Sequence, residues 1–217
     1  MSAPVLVIGN KAYSSWSMRP WVLMRHFGIA FREVRISLYD GNWRQRILEY
    51  SPSGKVPALT DGDVRVWESL AIAEYLAEKH AEKTLWPRDA TARATARAVS
   101  AEMHAGFAAL RSGMPMNVRR RFPDKGRSRE VLADIERITA LWRDCRSRFG
   151  AGGEFLFGAF SIADAMYAPV VSRLITYQVE VDDGAAAYVR SMSALPSYQA
   201  WVDEALRETE TISHYEL

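Results

Sequence analysis

The stretch NKAYSSWSMRPW, residues 10–21, follows directly on the apolar run VLVIG and sets three serines, Ser14, Ser15 and Ser17, at the mouth of a segment with a helical reading. VLVIG is short, rich in β-branched residues and bounded by Gly9 and Asn10, which suits a buried strand. The segment from the serines through Arg25 and His26 has no breaker after Pro20 and stops at Gly28, a natural helix C-cap. Proline fits a helix only near its start, so Pro20 places the serines around the N-terminus. Serines there ordinarily cap the helix. Their other use is to donate a proton to an anion held at the positive end of the helix.

Outward from this joint the first 80 residues alternate strand and helix. FREVRISL puts Val34, Ile36 and Leu38 on one side and Glu33, Arg35 and Ser37 on the other, the pattern of a half-buried strand. DGNW opens an irregular or short helical stretch. VPALTDGDVRVW reads as a hairpin with Asp61-Gly62 at the turn, and ESLAIAEYLAEK as a helix that Ser69 is placed to cap.

Beyond Ala81 the rhythm changes. AEKTLWPRDA, within residues 81–90, has Pro87 and no apolar period, and reads as a linker. Ala92, Ala96, Val99, Met103, Phe107 and Leu110 then step by three or four, as do Val131, Ile135, Ile138, Trp142, Cys145 and Phe149. Each set predicts one long amphipathic helix, with FPDKGRS joining the two as an antiparallel hairpin. GAFSIADAMYAPVVSRL continues the bundle, and Ser161 stands three residues before Asp164 in the spacing of a capping box. The fold class expected is α/β plus all-α.

Composition removes several functions. With 28 basic and 26 acidic side chains the net charge of +2 points to neither nucleic acid nor an acidic tail. The single cysteine, Cys145, excludes an internal disulfide, a thiolate metal cluster and a dithiol pair, and its place on an apolar stripe marks a buried small hydrophobe. No nucleotide-phosphate loop or metal-ligand cluster appears. MSAPVLVIGN lacks a leader pattern and no run of 18 apolar residues occurs, so the expectation is a cytoplasmic chain with no membrane and no metal.

SSWSMR, SGKVPAL, WESLAIAEYL, LWPRD and FSIADAMYAP, in this order, resemble the soluble glutathione S-transferases over essentially the whole chain. The SSxSxR pattern is similar to the serine-type branch and its zeta-like bacterial members. The resemblance implies a thioredoxin-like glutathione-binding unit over 1–80, a linker over 81–90 and an all-helical unit over 91–217 that forms the second-substrate site. It also implies glutathione as co-substrate, a small electrophile as the other partner, and a twofold homodimer. Trp16 departs from the zeta pattern, which has cysteine there.

The chemistry follows from the thiol. A cysteine pKa near 8.5 leaves little thiolate at neutral pH, and lowering it by two units requires roughly 2.7 kcal/mol. A helix N-terminus supplies about 0.3–1 kcal/mol, whereas a hydrogen bond to a charged group supplies about 1.5–3. A hydroxyl donor therefore has to do most of the work. The resemblance points to Ser14 as that donor with Ser15 second, and ranks Tyr13 below both. It gives Pro57 as a cis proline presenting the Val56 backbone to the peptide. Ser69 at a helix N-terminus suits the γ-glutamyl carboxylate and Glu68 its ammonium, with Lys55 near the glycine carboxylate. Met103, His104, Phe107, Arg111 and Tyr177 are the candidates for the second substrate. Arg111 and Arg173 are the possible partners of an anionic one, and the run Arg119–Arg121 reads as a solvated helix end.

Overall fold

The sheet explains why VLVI is apolar at every position. In the computed structural model, which describes residues 3–216, β1 (Val5–Ile8) is an inner strand with Leu6, Val7 and Ile8 fully buried. Leu6 and Ile8 join the main core, whereas Val7 packs with Ile36, Ile47 and Ala58 on the opposite face. A strand covered on both sides cannot alternate. Met1, Ser2 and Leu217, the outer ends of the two expected units, lie outside the described residues.

The strand order is β2-β1-β3-β4. β2 (Arg32–Arg35) runs parallel to β1, so a crossover must join them, and α1 (Ser15–His26) supplies it. β3 (Ala58–Asp61) and β4 (Val64–Trp67) are antiparallel additions. Their turn residues are Gly62 and Asp63, one position later than the sequence suggests, with Gly62 at φ +59°. α2 (Trp43–Leu48) follows DGN, and α3 (Ser69–Lys79) closes the thioredoxin-like arrangement.

Several local expectations need correction. Pro20 lies in the second turn of α1, not at its first position, so the Trp16 carbonyl has no N–H to accept from residue 20. Glu33 is not solvated. It accepts from Lys11 Nζ at 2.6 and 2.7 Å and from Trp21 Nε1 of α1 at 2.6 Å, and Lys11 donates to Glu204 as well. Ser69 is the first residue of α3, and Glu68 occupies the cap position without a capping hydrogen bond. Residues 81–90 hold a 3-10 turn (Ala81–Lys83) and two buried anchors, Leu85 and Trp86. The Leu85 carbonyl accepts from the Ile162 N–H and Trp86 Nε1 donates to Glu74.

The helical half begins with α4 (Ala90–Ala105), capped by Asp89. The single helix expected through Leu110 is broken. Gly106 leaves the helical conformation, Phe107 sits at φ +58°, and α5 (Ala108–Gly113) starts afresh. Phe107 and Leu110 remain buried, so the apolar period survives the break and cannot reveal it. The two helix runs are joined by a longer irregular stretch, 114–128, that contains FPDKGRS. α6 (Arg129–Phe149) carries the second stripe as expected, with Cys145 buried and its thiol pushed up to about 12 by that burial. α7 (Ile162–Thr176) is buried almost throughout and packs against α1, while α8 (Asp183–Ala194) and α9 (Pro196–Leu206) complete the bundle. No helix among the described residues is long and apolar enough to cross a membrane.

The capping box at α7 is formed, and Asp164 does more than cap. Its carboxylate accepts from the Ser161 N–H and hydroxyl, the Leu156 N–H and the Tyr188 hydroxyl, all within 3.0 Å. Burial pushes its pKa up to about 6 against the pull of these donors. Asp164→Ala leaves the donors unmatched in the core and is expected to cost about 3 kcal/mol or more in chemical denaturation. A loss below about 1 kcal/mol would show that water or a neighbour replaces the carboxylate.

Candidate functional site

A cleft of about 480 Å³ opens between the two halves at the N-terminus of α1. Tyr13, Ser14, Ser15 and Trp16 form one side, Leu38 to Ile47 and Ser53 to Val56 another, and Arg111, Met116, Arg173 and Tyr215 the third. A smaller recess continues it past Trp16, Ser53, Lys55, Val56, Pro57 and Glu68. Ser14, Ser15, Lys55, Val56, Pro57, Glu68 and Arg111 of the expected residues therefore meet around one continuous depression.

Ser14 occupies the N-cap position of α1 but makes no capping hydrogen bond. Its hydroxyl donates instead to Ser17 Oγ at 2.7 Å, and the same oxygen accepts the Gly9 N–H at 3.1 Å. Ser15 is the first helical residue and half-exposed. Neither serine is consumed in ending the helix, and α1 has no acidic residue in its first turn to neutralise its positive end. The Tyr13 hydroxyl is committed elsewhere. It donates to Glu216 at 2.7 Å and accepts from Arg119 at 2.6 Å, while its ring stacks on Tyr215.

Those contacts also revise the arginine run. Arg119 donates to the carbonyls of Glu208 and Glu210 and Arg120 to the Glu216 carboxylate, so both fasten the C-terminal segment beside the cleft. Arg120 and Arg121 are both exposed and Arg119 is half-buried, and the run lies in the irregular stretch 114–128 and not at a helix end.

Three arginines converge below Trp16. Arg19 and Arg173 are buried, and Arg111 and Arg173 both border the cleft. Arg19 donates to the Met166 carbonyl and to Ser69 Oγ, Arg173 to the carbonyls of Met114 and Pro169, and Arg111 to those of Met103, His104 and Gly106. None donates to a carboxylate among the described residues. Burial and the neighbouring guanidinium groups pull Arg19 down to about 9 and Arg173 to about 10, and both remain cationic at neutral pH. Trp16 shields this charge, with Arg19 at 4.3 Å and Arg111 at 5.1 Å from its ring centroid.

Glu68 stands at φ +70°, a conformation unusual for a residue with a side chain and costing about 1–3 kcal/mol. It holds the carboxylate in the recess beside the N-terminus of α3, with His104 Nε2 3.6 Å away. Ser69 is buried beneath it. The Val56–Pro57 peptide bond is cis.

The remaining second-substrate candidates separate. His104 reaches Trp16 edge-on at 5.3 Å, and burial with the adjacent Arg19 holds its imidazole below the usual range. Met103, Phe107 and Tyr177 lie in the core, with the Tyr177 hydroxyl bonded to the Pro115 carbonyl. A three-and-four spacing marks burial without saying whether a core or a cleft is what buries the residue. Trp43, Arg44, Ser53 and Tyr215 belong to the site although the sequence does not single them out, and Arg19, the arginine of the SSxSxR pattern, supports it from below through Ser69. Arg19 had a signal, an arginine on a helix otherwise buried, whereas Tyr215 reaches the cleft from the far end of the chain. Among the described residues no His, Cys, Asp and Glu cluster could hold a metal ion.

Residues 13–79 match the family model described as glutathione S-transferase, N-terminal domain, and residues 89–204 that of the C-terminal domain. A probable maleylacetoacetate isomerase of Caenorhabditis elegans is 26% identical over 170 residues, covering 76% of this chain and 78% of the relative. Glutathione S-transferase Z2 of Arabidopsis thaliana is 26% identical over 215 residues, covering 92% and 93%. Among solved structures, a glutathione transferase homolog from Burkholderia gl BGR1 with bound glutathione superposes with a TM-score of 0.72 at 25% identity, covering 94% of this chain and 98% of that one. With both family models matched in order across the two halves of this fold, the chain belongs to the glutathione S-transferase family.

Proposed function

We propose that this protein binds glutathione in the cleft and stabilises its thiolate for attack on a small electrophile. The observation that carries the reading is the Ser14 hydroxyl, at the N-terminus of α1 and free of any capping bond, on the wall of a cleft backed by arginines that donate to no carboxylate among the described residues. Glu68 would accept from the γ-glutamyl ammonium, Ser69 and the α3 N-terminus would meet its carboxylate, Val56 would pair with the cysteinyl backbone, and Lys55 would meet the glycine carboxylate. The Burkholderia relative, which has glutathione bound, supports this assignment of the co-substrate.

The proton arithmetic favours a hydroxyl. The α1 terminus is worth about 0.3–1 kcal/mol to an anion and a charge-assisted hydrogen bond about 1.5–3, together enough for a shift of one to three units. Ser14 is the donor of choice because Ser17 anchors it from below, while Ser15 has no such anchor and Tyr13 is occupied.

A second reading, glutathione-dependent cis-trans isomerisation of a maleyl-type diacid, is favoured by Arg173. Its Nη2 makes no hydrogen bond among the described residues, and the guanidinium borders the cleft. Arginine offers the bidentate geometry that a carboxylate takes. Arg111 is the weaker candidate, since its donors serve the carbonyls ending α4. The Caenorhabditis elegans relative supports this alternative. A glutathione-binding protein without turnover is the third possibility, with detoxification, a cytoplasmic location and a twofold homodimer as further parts of the proposal.

Ser14→Ala is expected to keep glutathione affinity within a few-fold and to lower kcat/KM at pH 6.5 by about 10- to 100-fold, with partial recovery at pH 8.5 as the thiol ionises unaided. The stabilised thiolate corresponds to a lowered pKa, so the loss is greatest below the free-thiol value and fades as pH rises through it. An unchanged profile in Ser14→Ala together with an inactive Ser15→Ala would move the role by one residue.

Arg173→Met is expected to reduce turnover of anionic electrophiles, maleyl-type diacids included, at least tenfold more than that of neutral aromatic ones. Equal losses on both classes would make Arg173 a structural residue and remove the diacid reading.

A further inference from the structure

The hydrogen bond between Ser14 and Ser17 creates a conflict that the proposed function must resolve. A hydroxyl carries one proton and two acceptor sites. Ser14 spends its proton on Ser17 Oγ, and Ser17 Oγ accepts twice, from Ser14 and from the Gly9 N–H. In this arrangement Ser14 has no proton for a sulfur anion. The proton of Ser17 is the one that no described hydrogen bond employs. Ser17 is completely buried, whereas Ser14 borders the cleft.

We infer that Ser17 is a positioning residue whose hydroxyl reverses its hydrogen bond with Ser14 when a thiolate is bound, so that the donors align as Gly9 N–H to Ser17, Ser17 to Ser14, and Ser14 to sulfur. This rests on the reading of Ser14 as the thiolate donor. No bond other than hydrogen bonds changes and no proton leaves its oxygen. The bond as it stands runs from Ser14 to Ser17 at 2.7 Å, so the reversal takes rotation of both hydroxyl groups about their Cβ–Oγ bonds together with a small turn of the Ser17 side chain that brings its oxygen into donating geometry.

Three features support the reversal. The Gly9 N–H can only donate, so it holds one acceptor site of Ser17 and leaves the Ser17 proton free to point at Ser14. A chain in which every member both accepts and donates is polarised along its length, which makes the terminal hydroxyl a better donor to an anion. Gly9 is also fitted to its place. A Cβ there would stand 2.6 Å from Leu38 Cδ1 and 3.2 Å from Ser14 Cβ, so a larger residue would displace the Leu38 side chain and crowd Ser14. Ser17 itself faces no titratable group in its hydrogen bonds, so its contribution passes through Ser14 alone.

The test is a double-mutant cycle read by the ultraviolet absorbance of the thiolate of bound glutathione as a function of pH. Unaltered protein, Ser14→Ala, Ser17→Ala and the double variant are each saturated with glutathione, as verified by calorimetry. Ser17→Ala is expected to raise the titration midpoint by about half a pH unit in the presence of Ser14 and to leave it unmoved in the Ser14→Ala background. Thermal unfolding checks each variant, and Ser17→Cys, close in volume with a weak donor, takes the place of Ser17→Ala if that chain does not fold. A midpoint unchanged by Ser17→Ala, or equal shifts in both backgrounds, would overturn the inference while leaving glutathione binding intact. Absence of any glutathione thiolate in the unaltered protein would instead overturn the functional reading and this inference with it.

Discussion

The buried guanidinium of Arg19 is the contact on which the site depends. It lies inside α1, donates to the Met166 carbonyl on α7 and to the Ser69 hydroxyl at the start of α3, and so ties three helices together beneath the cleft. Burying a cation without a carboxylate is expensive, and its hydrogen bonds to neutral oxygens offset only part of the desolvation. Arg173 repeats the pattern one layer away. A core selected for stability alone would place apolar side chains at both positions. Their retention is consistent with a cleft kept electropositive for an anionic ligand.

This charge and the Ser14 hydroxyl act together in the account. The cations raise the potential of the whole cleft, which favours any anion that enters. The hydroxyl is local and directional, and it selects where the negative charge sits. The Trp16 ring lies against Arg19 and Arg111, while Arg111 and Arg173 also border the cleft that Ser14 lines. A large aromatic, Trp16, takes up the space between the serines and His104. Glu68, in its strained backbone conformation, supplies the negative counterpart at the end of the recess where an ammonium is expected.

Much of this was legible in the sequence because it depends on local rules. The run VLVI, the helix stop at Gly28, the hairpin at Gly62 and the Ser161–Asp164 box are each encoded within a few residues, and each appears in the structure. What escaped depends on distance or on ambiguity in the period. The helix break at Gly106–Phe107 preserved the apolar spacing, and so hid behind it. Met103, Phe107 and Tyr177 are spaced like cleft residues yet pack inward. Arg119 looked solvated because its partners, Tyr13 and the carbonyls of Glu208 and Glu210, are about 90 to 106 residues away in the chain. Tyr215 closes the cleft for the same reason, through a segment fastened by Asn117, Arg120 and Tyr13. The serines themselves were found by pattern, but only the structure shows that Ser14 leaves the helix uncapped and leans on Ser17.

The measurement that tests the central claim most directly is a crystal structure of the protein with glutathione bound. The account predicts the sulfur in the cleft within about 3.5 Å of Ser14 Oγ, hydrogen-bond range for a thiolate and a hydroxyl, with Tyr13 still bonded to Glu216. Sulfur closer to Ser15 Oγ or to a released Tyr13 hydroxyl than to Ser14, or glutathione seated away from the N-terminus of α1, would contradict it.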